Sequence, residues 1–527
     1  MIRRILVVFV ALALVAGGAY LALAQTVTVA DHTRIAKLRE EAKALVREQM
    51  ELSWERRTTG KQVDIAGTYK GHEALFSLDT VRLLERTIAA TPQADKKKAL
   101  EFFRLYVLGE MVNARVAGID DEVQSYLAGA SFEYGGKEYN YYQHRLLLQE
   151  ETEYAQRQII SDAIAPILVQ ANEKLMQKEE RMQRLAKELG FADYIALSEQ
   201  LRQVNLTEFA ALCRVFLDQT EQEFTTLLRW AVPFQLGFPA EKARRCDLAR
   251  LFKNVRYDGY FTKKDMAPRM QRFLNGLGLS SEKVKVDDAD RPQKNPRAAC
   301  YPMDVPGDVR LTIKPAGGQS DYHAYWHEMG HAQHFANATT DVWEFQQLGD
   351  NVTTETYAFL FDTLLGNGPF LLKYVGMDNA GDRQWHVRYS AFLKLYMVRR
   401  FAAKVLYEIE LHRGAGDPVG LYRNLLGRAY GVELDANDGL RYLVDVDDFF
   451  YSADYTRAWF TEAMLEAKLT ELYGGEWFAK PEAGAYLRKL WATGQFYRGE
   501  ELVRQIGYTH LDPSYLIERI RRRVKVK

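Results

Sequence analysis

The chain has 527 residues, 47% of them hydrophobic, and balances 70 lysines and arginines against 70 aspartates and glutamates. A neutral chain of this size has no global basic field that would point to nucleic acid, and it is long enough for a substantial core and more than one subdomain. With three cysteines, one disulfide is the maximum, so stability must come from packing.

In chain order, Arg3 and Arg4 precede an apolar run over residues 5–24 that ends in Ala22-Leu23-Ala24 before Gln25. This fits a secretory signal with an A-x-A cleavage site, and the run is also long enough to span a bilayer. Residues 1–24 are therefore expected to be a signal peptide or an N-terminal membrane anchor. Both predict an extracytoplasmic protein, secreted or periplasmic, with the arginines kept inside. No cysteine follows the run to take a lipid.

From Asp31 helical periodicity dominates. A charged amphipathic helix is expected over Thr33–Arg56, and further helices to about Ala117. Long helical patterns follow over Tyr141–Asn205, marked by Pro166 and a stop at Gly190, and again over Thr207–Trp230. Residues 298–305 and 309–314 then read as short extended runs joined by the turn Pro306-Gly307-Asp308. Val309, Leu311 and Ile313 alternate with Arg310, Thr312 and Lys314, a half-buried strand pattern. Such a hairpin could offer an edge to an extended peptide or simply support the next helix.

That next helix is expected over Tyr322–Asn337, with Ser320 or Asp321 as its cap. It carries His327-Glu328-Met329-Gly330-His331. H-E-x-x-H on a helix puts two imidazoles one turn apart on one face, a spacing that holds zinc, with the glutamate close enough to act as base toward an activated water. Gly330 costs a helix about 1 kcal/mol relative to alanine, which predicts close packing against another backbone.

A catalytic zinc needs a third protein ligand. Glu355, 24 positions after His331 in the buried helical pattern Asn351–Asp362, is the favoured candidate. Asp350, 19 after His331, competes, but it follows Gly349 at the mouth of that helix, where an aspartate serves as a cap. His323 and His334 fall near the same face as His327 and His331, yet one straight helix can present at most two of the four to one ion. His334 reads as a packing or supporting residue, and His323 as buried or facing substrate.

Downstream, Gln384–His412 and Tyr451–Tyr473 read as helices. Asp445, Asp447 and Asp448 lack the spacing of a calcium loop and read as helix caps. The basic end, Arg519–Lys527, reads as a solvated helix end.

His327 to His334, H-E-M-G-H-A-Q-H, resembles the H-E-x-G-H-x-x-H signature of the thimet oligopeptidase and oligoendopeptidase family. The H-E-M-G-H core and the distance to Glu355 also resemble the angiotensin-converting enzyme family. Leu185–Tyr194 is similar to the oligopeptidase L-A-x-E-L-G-F-x-x-Y helix end, and Tyr451–Leu465 to its tyrosine-rich helix. The likeness is scattered over roughly residues 140–475. It implies a mainly α, elongated, zincin-type metallopeptidase, with a small sheet beside the zinc helix and a deep central channel that admits unfolded oligopeptides.

The resemblance also implies tyrosines facing the metal that hydrogen-bond the oxyanion. Where the family has a histidine and three tyrosines, this chain has Val446, Tyr451, Tyr455 and Ala458. Tyr451 and Tyr455 match; the histidine and last tyrosine do not. Arg457, in a Tyr-x-Arg pair similar to the angiotensin-converting enzyme helix, could bind a peptide carboxylate or pair with a structural acid.

The expected organisation is a helical wall or lid over residues 31–210 and a catalytic part over 211–527, its last helices bracing the site. The expected activity is zinc-dependent hydrolysis of short unfolded peptides, with one Zn2+ per chain on His327, His331 and Glu355, Glu328 as base and Tyr451 and Tyr455 at the oxyanion. The alternative is a catalytically weakened relative that binds peptides or a partner protein in the same channel.

Overall fold

The structure is a computed structural model that describes residues 27–525. The apolar run over residues 5–24 lies outside the described residues. Among those described, no helix is long and apolar enough to cross a membrane. The chain is mostly helical, with two small sheets.

Helix α1 (Val29–Thr59) opens on a capping box between Thr28 and Asp31 and buries Ile35, Leu38, Ala42 and Leu45 as one stripe. That stripe packs with α2 (Leu78–Ala90) and α3 (Ala94–Gly129) around Leu84, Phe103 and Met111, and Trp343 from far downstream completes the cluster. Helix α3 runs past the expected end near Ala117 because Val123 and Leu127 extend its buried face. A hairpin of β1 (Ser131–Tyr134) and β2 (Lys137–Asn140) follows. Helix α4 (Ala165–Glu188) starts with Pro166 in its first turn, and α5 (Tyr194–Arg202) follows the stop at Gly190.

The helical stretch over Thr207–Trp230 is two helices, α6 (Leu206–Gln219) and α7 (Glu221–Leu236). The break at Thr220 has a tertiary cause. Fully buried Arg399 donates to the Leu217 carbonyl at 2.8 Å, to Thr220 Oγ1 at 3.0 Å and to Glu221 Oε2 at 2.8 Å. A guanidinium buried there needs those acceptors, and an uninterrupted helix would have used the carbonyl itself.

The second sheet has the order β3 (Val284–Asp287), β5 (Asp308–Thr312), β4 (Ala299–Asp304). The expected hairpin is the antiparallel β4–β5 pair; β3, parallel to β5, was not read from the sequence. Four residues, half of them charged, carry too little pattern to announce a strand. Helix α1 lies along β4, where Arg57 Nε donates to Tyr301 Oη at 3.0 Å and Trp54 meets the Tyr301 ring edge-on.

Helix α8 (Gln319–Ala336) bears the histidine motif, and α9 (Asn351–Asp362) crosses it. Neither Ser320 nor Asp321 caps α8. Gly318 is the cap residue, at φ 92°, and the Asp258 carboxylate from another segment accepts the Gln319 amide at 2.9 Å. A Cβ at Gly318 would lie 3.0 Å from that carboxylate. Asp321 instead turns back and accepts the Ala316 and Gly317 amides at 2.6 and 2.8 Å.

Helix α10 (Ala380–His412) runs through the main core, and α11 (Tyr451–Tyr473) packs against both α9 and α10. Helices α12 (Gly499–Gln505) and α13 (Ser514–Val524) close the far side of α11. The three cysteines are all free, so no disulfide holds the fold.

Candidate metal centre

The glycine of the motif sets the spacing of the site. A Cβ built on Gly330 would lie 2.6 Å from both the Ala358 Cα and the Tyr357 carbonyl oxygen, so α8 and α9 touch backbone to backbone there. Glu355 sits one turn before Ala358, on the part of α9 that this crossing draws under the histidines. Gly330→Ala would normally strengthen a helix by about 1 kcal/mol. Here the added methyl meets atoms that cannot rotate away, so the change is expected to lower stability by about 1–3 kcal/mol. Denaturant midpoints followed by circular dichroism check the sign.

The ligand candidates converge. His327 Nε2, His331 Nε2 and a Glu355 oxygen lie within 4.8 Å of one another, with Glu355 Oε2 at 3.4 Å from His327 and 3.8 Å from His331. Ligand bonds of about 2.0–2.2 Å in a tetrahedral site set donors roughly 3.4 Å apart, so these residues fit zinc. A second observation agrees: Glu355 Oε2 is buried and receives no hydrogen bond. A carboxylate oxygen in that condition is costly unless a cation completes it.

The outer nitrogens of both imidazoles are fixed. His331 Nδ1 meets Thr354 Oγ1 at 2.8 Å, and His327 Nδ1 meets Asp362 Oδ2 at 3.1 Å. Lys394 of α10 balances Asp362 at 3.2 Å. Thr354 and Asp362 were not singled out from the sequence. Asp362 stands two turns after Glu355 on one helix face, a spacing that could have identified it.

Burial disfavours a charged His327, but Asp362 and Glu355 outweigh it and lift the imidazole to about 10. Burial would also raise the Glu355 carboxyl, but His331 and His327 hold it below the usual carboxylate range. Burial lowers His331.

Glu328 faces the outer edge of β4, where its Oε2 accepts the Cys300 amide at 2.8 Å. That edge is partly engaged: Pro302 has no amide hydrogen, and its carbonyl accepts Gln347 Nε2 at 2.6 Å.

From α11, the Tyr451 hydroxyl donates to Glu355 Oε1 at 3.3 Å, which puts it at the centre. Tyr455 meets Tyr451 edge-on with ring centroids 5.0 Å apart, and packs among Phe359, Phe401 and Trp459. The entry into α11 is strained, since Phe449 and Phe450 have φ of 51° and 56°. Such conformations cost about 1–3 kcal/mol each and persist only when neighbours enforce them. Here α5 does so: Tyr194 Oη accepts the Phe449 amide at 2.6 Å, and Arg202 donates to its carbonyl at 2.9 Å.

Asp350 caps α9, accepting the Val352 amide at 3.0 Å, and its other oxygen accepts the Gly499 amide and faces Arg457. His334 is buried and donates from Nε2 to the Gly494 carbonyl at 3.1 Å. His323 is half-buried, and burial lowers it to about 4. Of Asp445, Asp447 and Asp448, only Asp447 stands at an N-cap position, before the short turn Asp448–Phe450, and its side chain makes no capping bond. Asp445 pairs with Arg400, Asp447 with Lys404 and Asp448 with Lys178, because α10 and α4 bring cations under them. Val446 is half-buried against the core and Ala458 is fully buried.

No known family model matches the chain, and no curated protein matches it.

Proposed function

We propose that this chain is a zinc-dependent peptidase, related to the thimet oligopeptidase and oligoendopeptidase family, that hydrolyses short unfolded oligopeptides in the channel of an elongated zincin-type scaffold. The observation that carries the reading is the convergence of His327, His331 and the unpartnered Glu355 oxygen beside Glu328. His327, His331 and Glu355 would hold one ion per chain. When bound, zinc supplies Lewis acidity that makes water more acidic and polarises a carbonyl.

The protein's own groups do the rest. Glu328, oriented by the Cys300 amide, takes the proton of the attacking water and passes it to the leaving amine. Tyr451 exchanges its bond to Glu355 for one to the developing oxyanion. Tyr455 packs against Tyr451 and holds its ring.

The test begins with metal. Purified protein is expected to contain about one zinc per chain, lost to chelator and regained together with hydrolysis of short peptides, while a folded protein survives. His331→Ala and Glu355→Ala lower zinc content; Asp350→Ala leaves it in place and costs stability, as loss of a cap does. Asp362→Asn weakens zinc binding by about 10–100-fold through His327. Equal zinc affinity in His331→Ala and the parent protein would sink the site.

A second reading, a weakened relative that binds peptides, is favoured by Val446 and Ala458 standing where the family has a histidine and a tyrosine. Peptide binding without any cleavage would establish it. An extracytoplasmic location, resting on residues 1–24, is tested by fractionating cells that express the chain with and without them.

A further inference from the structure

A cavity of about 560 Å³ lies beside the N-terminal end of α8. Ser320 in its wall precedes His327 by seven residues, so it stands on the helical face that carries the ligands, about 10 Å along the axis. Arg400 in the opposite wall belongs to α10, the helix whose Lys394 reaches Asp362 behind His327. The cavity therefore lies along the two helices that also bear on the candidate metal centre, although none of the candidate ligands lines it.

Its lining is cationic: Arg145, Arg245, Lys253, Arg400 and Arg441, with His144. Asp258, the carboxylate in the wall, is occupied by the amide and side chain of Gln319, at 2.9 and 3.2 Å. Arg400 pairs with Asp445, and Lys253 with Glu150. Arg245 and Arg441 share the single carboxylate of Asp438, at 3.8 and 3.5 Å. Arg145 sits in the field of Arg400, Arg297 and Arg245, and no carboxylate pairs with it among the described residues.

The donors are also stranded. Arg441 is 6% exposed, and both its terminal nitrogens, with Arg245 Nε and His144 Nε2, are buried without a hydrogen-bond partner. Burial and the charges of Arg441 and Arg245 push His144 down to about 3, and burial and Arg245 push Arg441 down to about 10. Five cations gathered around one cavity, with no carboxylate pairing with Arg145 among the described residues, fit an anionic acceptor, with guanidinium geometry suited to a carboxylate.

We propose that this cavity is a carboxylate-binding subsite, so that the enzyme cuts peptides carrying an acidic group about three residues from the cleaved bond. The offset follows from the distance, since an extended chain advances about 3.3 Å per residue. The proposal rests on the peptidase reading above. The carboxylate has two sources, an aspartate or glutamate side chain or the peptide's own C-terminus.

The experiment compares peptides of one length: amidated with glutamate at the offset, amidated with glutamine there, and glutamine with a free C-terminus. The favoured carboxylate is expected to raise kcat/KM about tenfold or more over the neutral amidated peptide, as charge-assisted bonds do. A gain with glutamate identifies the side chain; a gain with the free C-terminus, releasing products of one fixed length, identifies the terminal carboxylate. Arg145→Gln, a change at an exposed residue without an ion pair, and Arg441→Gln should both reduce that ratio to within about twofold. Equal rates on all three peptides would overturn the inference and leave the peptidase standing. If nothing is cut, fluorescence anisotropy on Glu328→Gln protein decides. Tighter binding of an acidic peptide that Arg145→Gln abolishes keeps the subsite while the peptidase reading falls; equal binding removes the subsite too.

Discussion

Glu328→Gln is expected to keep the fold and its zinc while peptide hydrolysis drops by about two orders of magnitude or more. The amide is nearly isosteric with the carboxylate, and its oxygen can still accept the Cys300 amide that orients residue 328. What it cannot do is take a proton from water. Because Glu328 is not among the converging ligands, metal content should be unaffected. Turnover of a mixed set of short peptides, read by mass spectrometry beside metal analysis of the same sample, checks both halves. Near-normal cleavage in a zinc-loaded variant would remove the proposed mechanism.

The largest loss of stability is expected at Arg457, on the face of α11 away from the candidate metal centre. Its side chain is fully buried and holds three carboxylates: Glu500 at 2.8 Å, Asp350 at 3.4 Å and Asp454 at 3.5 Å. Asp454 is fully buried and Asp350 nearly so. Arg457→Met fills much of the space but leaves Asp350 and Glu500 without their cation, while Asp454 keeps Arg202 at 2.6 Å; losing one partner of a buried pair costs about 3–5 kcal/mol. Asp350 caps the helix that bears Glu355 but is not among the candidate ligands, so zinc content should stay near that of the parent protein while stability falls. Denaturant midpoints, with and without zinc, measure both effects. An arginine that served only to bind substrate would leave the midpoint unchanged and alter peptide affinity alone.

Much of the site was legible because it is written at helical spacing. His327 and His331 are one turn apart, Tyr451–Tyr473 ends where its pattern ends, and Asn351–Asp362 is buried along its length. Gly330, unfavourable in any isolated helix, announced a close crossing, and α9 supplies it. The choice between Asp350 and Glu355 could be weighed in advance because one stood at a helix mouth and the other inside the helix.

The sequence by itself determined what depends on neighbours in the chain: the helices, the spacing of His327 and His331 on α8, and the position of the cap on α9. Only the tertiary structure decided what depends on groups brought from elsewhere. Asp258 displaced the expected cap of α8, Arg399 broke the stretch over Thr207–Trp230, and Arg400, Lys404 and Lys178 took the aspartates before α11 as ion-pair partners. The cationic cavity is of the same kind, since Arg145, Arg245 and Arg441 come from three distant segments. The physical reason is one of range. Periodicity and capping act over a few residues, whereas a buried charge takes the nearest opposite charge or carbonyl that the packed fold places beside it.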